Sequence, residues 1–212
     1  MARPSRPLLS RAGITAAALA VIDAEGTEAL TTRRLAADLG VSSPSLYSHF
    51  ATRDDILSAV VELVLGDVDT VIDALAPDGA YPGDWRDYLR IWARSYLRSL
   101  SAHPNAVALV THSPIRARAS LRCFDAAFSC LLQAGFSHRA AADTLLAIDC
   151  YVIGNGLDRV SRGFPDPPAA YADSYPSLSA VLAQVGYRST DDTFEIGLDA
   201  LLDGLHSRAT AV

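Results

Sequence analysis

The chain contains no lysine: all 18 of its basic residues are arginine, set against 24 acids for a net charge of −6. Arginine forks to phosphate and to guanine edges better than lysine does, but a chain-wide absence reflects composition and marks no site. Cysteine is scarce as well. Cys123, Cys130 and Cys150 are an odd number without CxxC spacing, which argues against a disulfide framework or zinc ribbon and suits free, mostly buried thiols in a reducing cytosol. No apolar run exceeds Ile14–Ile22, itself interrupted by Thr15, far below the ~20 residues of a membrane span. Arg3, Arg6 and Arg11 ahead of that run look faintly like a secretory signal. The run is amphipathic, however, and Asp23 and Glu25 follow without a cleavage region. The expectation is a cytoplasmic chain with no membrane partner. Glycine and proline are modest in number and half of the 212 residues are hydrophobic. That composition fills a core, excludes disorder for the bulk of the chain, and suffices for one large domain or a small one joined to a larger.

The charge is unevenly spread. Residues 1–53 carry six arginines and four acids, whereas the remainder carries 12 arginines and 20 acids. A basic amino end on an acidic body can bring one face to phosphate while the rest is repelled. Helical periodicity runs almost throughout, no alternation of the strand type persists for five residues, and the class expected is all-α. Ser10 caps a first helix with Ile14, Ala17, Ala18, Val21 and Ile22 on one face, ended by Gly26. A short helix follows from about Thr31–Thr32 to Leu39, stopped by Gly40. A third starts at Ser43 with Pro44 at the first helical position, where its missing N–H costs nothing, and carries Leu46, Tyr47 and Phe50. A fourth opens on Thr52-Arg53-Asp54-Asp55 and repeats Ile56, Leu57, Val60, Val64, Val68, Val71 and Leu75. Pro77-Asp78-Gly79 and Pro82-Gly83 make a loop. Beyond it lie Asp84–Ser101, a turn region at Pro104–Thr111, Pro114–Ala134, Ser137–Arg162, a proline-rich loop at Gly163–Ser177, Ser177–Gln184 and Asp191–His206.

Residues 31–53, TTRRLAADLGVSSPSLYSHFATR, carry the most specific pattern. Two short helices about a glycine turn, with small Ala36 where they cross, read as a helix-turn-helix. Gly40 can take the positive φ that reverses the chain. Leu35, Leu39, Val41 and Leu46 form the shared core, and the outer face offers Ser43, Ser45, Tyr47, Ser48 and His49. Short hydroxyls and a phenol near a helix amino end suit phosphate and base-edge contacts. An ordinary helical hairpin would have the same spacing.

These residues resemble the DNA-binding domain of the TetR family of transcriptional regulators, through Leu30–Ala36, Leu39–Ser42 and Pro44–Phe50. The first helix, the turn and the start of the fourth are similar too. Trp85–Arg90 and Phe194–Leu205 resemble segments of the subgroup near the tetracycline-responsive repressors. The resemblance implies a helix-turn-helix domain over residues 1–53, a connecting helix over 54–75 and a ligand-binding and dimerisation domain over 76–212. It also implies a double-stranded DNA operator, a small-molecule effector and a homodimer. Position by position, Arg33 would reach a base edge. Ser43, Pro44 and Ser45 would face bases, while Thr32, Tyr47, His49 and Arg53 would hold phosphates. Ser48 stands in the same face, where the prototype has a bulky aromatic, so the operator sequence does not carry over. His49 could instead cap a helix end and Arg53 could complement Asp54 or Asp55. Arg34 reads as solvated.

The same resemblance places Trp92 and Tyr96 where the tetracycline-responsive prototype lines its pocket. The prototype's polar amide at Trp92 and its metal-binding histidine near Leu109–Val110 are missing, so neither a tetracycline–magnesium ligand nor any other metal or cofactor is expected. The expectation is a largely apolar organic molecule among Trp92, Tyr96, Phe124, Phe128, Leu132 and Tyr151, with His112, Asp149 and Asn155 as polar candidates. Each of those three could equally be a satisfied core group, and Asp149 and Asp158 could lie in a dimer interface. Small residues on Ser137–Arg162 (Ala140, Ala141, Ala142, Ala147, Gly154, Gly156) and the apolar Phe194, Ile196, Leu198, Leu201, Leu202 and Leu205 would pair two copies in a four-helix bundle. They could also complete one chain's core. The Gly163–Ser177 loop would gate the pocket or act as a spacer. No phosphate-cradling loop, HExxH or GxSxG is present, and the five histidines are scattered, so no catalytic residue is expected. A non-specific DNA-binding protein, or a helical ligand-binding protein or enzyme using the carboxyl-terminal pocket, are the rival readings.

Overall fold

The computed structural model of the chain describes residues 9–75, 81, 83–114, 116, 118–158, 164–186 and 190–209. Arg3 and Arg6, the Pro77-Asp78-Gly79 turn, Pro82, the boundaries at Arg162 and Gly163, and the side chain of Asp158 lie outside the described residues. Within them the chain is all-α, with no strand, and no helix is long and apolar enough to cross a membrane.

The head begins with α1 (Arg11–Glu25), whose Ser10 cap accepts the Gly13 N–H. Its buried face is Ile14, Thr15, Ala18, Leu19, Val21 and Ile22, the stripe that its periodicity predicts apart from half-buried Ala17. α2 (Thr32–Leu39) is capped by Thr31, whose side chain accepts the Arg34 N–H. Gly40 closes it in the left-handed region, at φ 65° and ψ 33°, and the Val41 N–H reaches back to the Ala36 carbonyl at 2.9 Å. This is the glycine-terminated reversal that frees the chain for a second helix. α3 (Ser43–Tyr47) is shorter than its sequence suggests. Ser48 and His49 lie past its end, in a turn that delivers Phe50 back into the core. Leu30, Leu35, Ala36, Leu46 and Phe50 are all buried there with Ile14 and Ile22.

α4 (Arg53–Leu75) leaves the head and enters the body. Thr52 and Asp55 cap it reciprocally, with the Thr52 N–H on Asp55 Oδ2 at 2.9 Å and the Asp55 N–H on Thr52 Oγ1 at 3.1 Å. Two donors that a helix start leaves unpaired are thereby satisfied. Its buried stripe steps by four, Ile56, Val60, Val64, Val68 and Ile72, so Ile72 takes the core place that the heptad-like reading gives to Val71. α4 packs against α1, α5 (Trp85–Ala102), α6 (Val107–His112) and α7 (Arg118–Gln133). The region at Pro104–Thr111 is thus a 3-10 turn, Pro104–Ala106, followed by a true helix. α8 (His138–Asp158) lies against α5, α6, α7 and α10 (Asp191–Ala209).

Close packing of α8 on α10 rests on one absent methyl group. A Cβ on Gly197 would fall 2.1 Å from Tyr151 Oη. That phenol donates to the Phe194 carbonyl at 3.0 Å, and its ring stacks on Phe194 with centroids 5.4 Å apart. Arg90 to Asp199 and Arg94 to Glu195 then clip α5 to α10. α9 (Pro176–Gln184) packs on the 3-10 turn Pro168–Tyr171 of the proline-rich stretch.

Ala36 meets the returning chain with its side chain buried, whereas Ala37 beside it is exposed. Ala36→Leu is therefore expected to lower stability by about 1–3 kcal/mol through overpacking, and Ala37→Leu by no more than about 0.5 kcal/mol. Urea unfolding followed by circular dichroism checks the contrast, and equal losses would refute this account of the turn.

Candidate nucleic-acid interface and body cavity

On the outer face of α2 and α3 the side chains of Arg33, Pro44, Tyr47 and Ser48 are exposed, Tyr47 to 50%. Thr32, Ser43, Ser45 and His49 are half-buried beside them. The hydroxyls are already ordered, since Ser42 Oγ and Ser45 Oγ share a hydrogen bond of 2.8 Å and Ser48 Oγ donates to the Ser45 carbonyl at 2.7 Å. Among the described arginines of the head, Arg33 alone forms no hydrogen bond, ion pair or ring contact. A guanidinium, a phenol and short hydroxyls on one surface form a donor-rich face of the kind that meets phosphates and base edges.

The other arginines are committed elsewhere, and two expectations change. Arg34 is not merely solvated. It forks onto Glu25 and reaches Asp38 at 2.8 Å, joining the end of α1 to α2, and its guanidinium holds the Glu25 carboxyl below the usual range. Arg53, expected on a phosphate or beside Asp54 or Asp55, turns inward instead. Its Nε donates to the Leu30 carbonyl at 2.9 Å and its Nη2 to Thr27 at 3.2 Å, fastening the start of α4 to the loop before α2. Arg11, to which no role was assigned, lies 4.0 Å from the centre of the Phe50 ring and donates to the His49 carbonyl, bracing the end of α3. A cation over an aromatic face is worth about 0.5–1 kcal/mol when exposed.

A cavity of about 170 Å³ lies in the body between α4, α5, the end of α6, α7 and α8. Of the expected residues, Trp92, Tyr96, Phe124 and Asp149 line it. Four do not. Phe128 packs against the core, Asn155 donates to the Tyr151 carbonyl, Tyr151 is locked onto Phe194, and Leu132 is exposed. His112 is exposed and bonds back through Nδ1 to the Ala108 carbonyl at 2.7 Å, while its neighbours Thr111 and Ser113 face the space. Among the described residues of the proline-rich stretch, none of 164–177 contributes to the walls. The wall that sequence reasoning missed is α4, with Ser58, Val61, Glu62, Leu65 and Val68. Periodicity distinguishes the face of a helix that is covered but not what covers it.

Asp149 is half-buried, with no hydrogen bond or ion pair to any described residue. Burial pushes its carboxyl above the usual carboxylate range, and burial followed by the charge of Asp149 pushes the Tyr96 phenol up. Trp92 and Tyr96 stand tilted with centroids 5.5 Å apart, and Phe124 meets Trp92 edge-on at 6.3 Å. Cys130 is buried with its thiol pushed up to about 11, and Cys123 is a buried lining residue, so packing describes both better than nucleophilic chemistry does. Among the described residues no three His, Cys, Asp or Glu side chains gather as metal ligands.

A compact reading head joined by one long helix to a hollow helical body defines a helix-turn-helix regulator with a separate ligand-receiving domain. The family model for bacterial regulatory proteins of the tetR family matches residues 14–60, and the tetracyclin repressor-like C-terminal domain matches residues 77–209. Tetracycline repressor protein class A from transposon 1721 of Escherichia coli is 32% identical over 201 residues, 92% of this chain and 90% of that one. The HTH-type transcriptional repressor DrrR1 of Streptomyces coeruleorubidus is 26% identical over 96% of this chain and 80% of its own. The crystal structure of the Streptomyces coelicolor TetR family protein ActR in complex with actinorhodin has a TM-score of 0.77 at 26% identity, covering 95% of this chain and 99% of that one. The chain belongs to the TetR family and is a ligand-responsive, DNA-binding transcriptional repressor. These relatives are regulators, not enzymes.

Two expectations follow from the site. Arg53→Ala should cost about 1–3 kcal/mol, the range for hydrogen bonds to a charged group, in thermal unfolding of the full chain, and Arg53→Lys should recover only part because one ammonium cannot fork to both carbonyls. No loss on Arg53→Ala would return this residue to the DNA face. Asp149, with its folded-state value raised, binds more protons folded than unfolded, so its contribution to stability falls as pH rises from its unfolded value through its folded one. Asp149→Asn should therefore raise Tm at pH 7 and leave it nearly unchanged at pH 3.5; differential scanning calorimetry at both pH values reads the sign.

Proposed function

We propose that the protein represses transcription in the cytoplasm as a homodimer bound to a palindromic operator, and that a small, largely apolar organic molecule releases it. The observation that carries the reading is the double use of α4. Its first turn is fastened in the head by the Thr52–Asp55 cap and by Arg53, and its middle walls the cavity. A molecule entering between Trp92, Tyr96 and Phe124 presses on Ser58–Val68, and the head swings with the helix. A second strut runs from the 3-10 turn at the start of α6, where His103 Nδ1 and Asp23 Oδ2 lie 2.9 Å apart and Asn105 donates to the Asp23 carbonyl at 2.8 Å. ActR, solved in complex with actinorhodin and with (S)-DNPA, supports an organic effector.

In this reading residues 1–53 are the DNA-binding domain, 54–75 the connecting helix, and 76–212 the effector and dimerisation domain. Arg33 takes a base edge, with Ser43, Pro44 and Ser45 beside it and Thr32, Tyr47, Ser48 and His49 on the backbone. Two copies present their α3 helices ~34–36 Å apart, the spacing of successive major grooves. Pairing is supported by a stripe on α8, with exposed Ala142, Leu146, Cys150, Gly154 and Leu157, and by Ile196 on α10. Leu146 and Ile196 are 61% and 70% exposed. Phe194, Leu198 and Leu202, expected in that interface, are buried in the chain's own core, while Leu201 and Leu205 are half-buried. α10 thus covers its own body with one face and offers another outward. A coupling of ~1–3 kcal/mol between cavity and operator lowers DNA affinity ~5- to 150-fold.

The test begins with an operator selected from random duplexes and read by fluorescence anisotropy. Arg33→Ala should weaken that operator about 5- to 150-fold, equivalent to ~1–3 kcal/mol, and Tyr47→Ala should weaken it less. Neither should move Tm, because both side chains are exposed. Unchanged affinity in both variants, or a monomer by analytical ultracentrifugation at micromolar concentration, would overturn the proposal.

A further inference from the structure

We propose that the body cavity selects an aromatic organic cation, one or two fused rings bearing a protonated amine, with the amine seated on Asp149. The inference rests on the cavity being the effector site and specifies what enters it. Several acids among the described residues have partners. Asp23 meets His103, Asp38 and Glu25 share Arg34, Asp84 caps α5, Glu195 holds Arg94 and Asp199 holds Arg90. Asp149 has none of these, although it projects from α8 into a space walled by Trp92, Tyr96, Cys123, Phe124 and Ile153. The other charged groups of the lining, Glu62 on α4 and Arg116 after α6, are both exposed. Burial is the cause that moves the Asp149 carboxyl, with no offset from Arg116.

A desolvated carboxylate without a counter-charge is a standing electrostatic cost, which a ligand removes by bringing a cation to it. The ammonium–carboxylate hydrogen bond formed there is of the charge-assisted kind, about twice as strong as a neutral one. The aromatic faces of Trp92 and Tyr96 favour the same sign of charge. An anionic effector would meet Asp149 and Glu62 with only the exposed Arg116 as counter-charge in the lining, and a neutral one would bury Asp149 further without neutralising it. The volume sets the size. A cavity of about 150 Å³ admits benzene, and this one, at about 170 Å³, takes one ring with substituents or two fused rings with slight yielding of the walls.

Isothermal titration calorimetry of the full chain at pH 7.5 with three probes of one shape, 2-naphthylmethylamine, 2-naphthylmethanol and 2-naphthoate, tests the sign of charge. The amine is expected to bind at least roughly ten-fold more tightly than the alcohol, and the carboxylate weakest. Asp149→Asn should abolish the amine's advantage while leaving the alcohol's affinity within about two-fold. Equal or tighter binding of the alcohol or the carboxylate to the unsubstituted protein would overturn the charge preference and leave the effector cavity standing. Absence of binding by all three would overturn both. An amine preference that survives in Asp149→Asn would remove Asp149 from the assignment. The ratio in the unsubstituted protein decides the sign of charge even if the variant does not fold.

Discussion

One helix belongs to two structures at once, and most of the rest follows from that sharing. The amino end of α4 is part of the head, where a reciprocal cap and the inward-turned Arg53 fix its direction. Its middle is part of the body, with Val60, Val64 and Val68 in the core and Val61, Glu62 and Leu65 facing the cavity. Close-packed interiors transmit displacement instead of absorbing it, which is why the proposed effector signal is routed through this helix. A loosely hinged connection would have let the two halves move independently.

The head is economical with charge. Of its described arginines, Arg11 braces Phe50, Arg34 is held by Glu25 and Asp38, and Arg53 serves backbone carbonyls. A count of charges along the chain identifies a basic end, yet folding spends much of that charge on holding short helices in place. A five-residue α3 has little stability of its own, and the arginines supply bracing that its length cannot.

How far the chain can be read unaided depends on the range of the interaction. Caps at Ser10, Thr31, Thr52 and Asp84 and the reversal at Gly40 are local, and each is legible because the residue and its partner lie within four positions. The pairing of Arg53 with Leu30 and of Tyr151 with Phe194 spans tens of residues and leaves no local trace. The cavity divides the same way. Trp92, Tyr96, Phe124 and Asp149 were identifiable by resemblance and chemistry. Phe128 and Asn155 share those attributes but sit where α7 and α8 turn them away from the space. The apolar positions of α10 were legible in the sequence, but the division between Phe194, Leu198 and Leu202 inside and Ile196 outside needed the three-dimensional arrangement.

The thiols give the molecule a built-in address. Cys123 and Cys130 are buried, and Cys150 alone is exposed, midway along the uncovered stripe of α8. In a single chain a maleimide dye or spin label would therefore attach at one position without any engineering, and in a pair formed over that stripe the same thiol would be shielded. From there it would report on whatever surface settles over that helix.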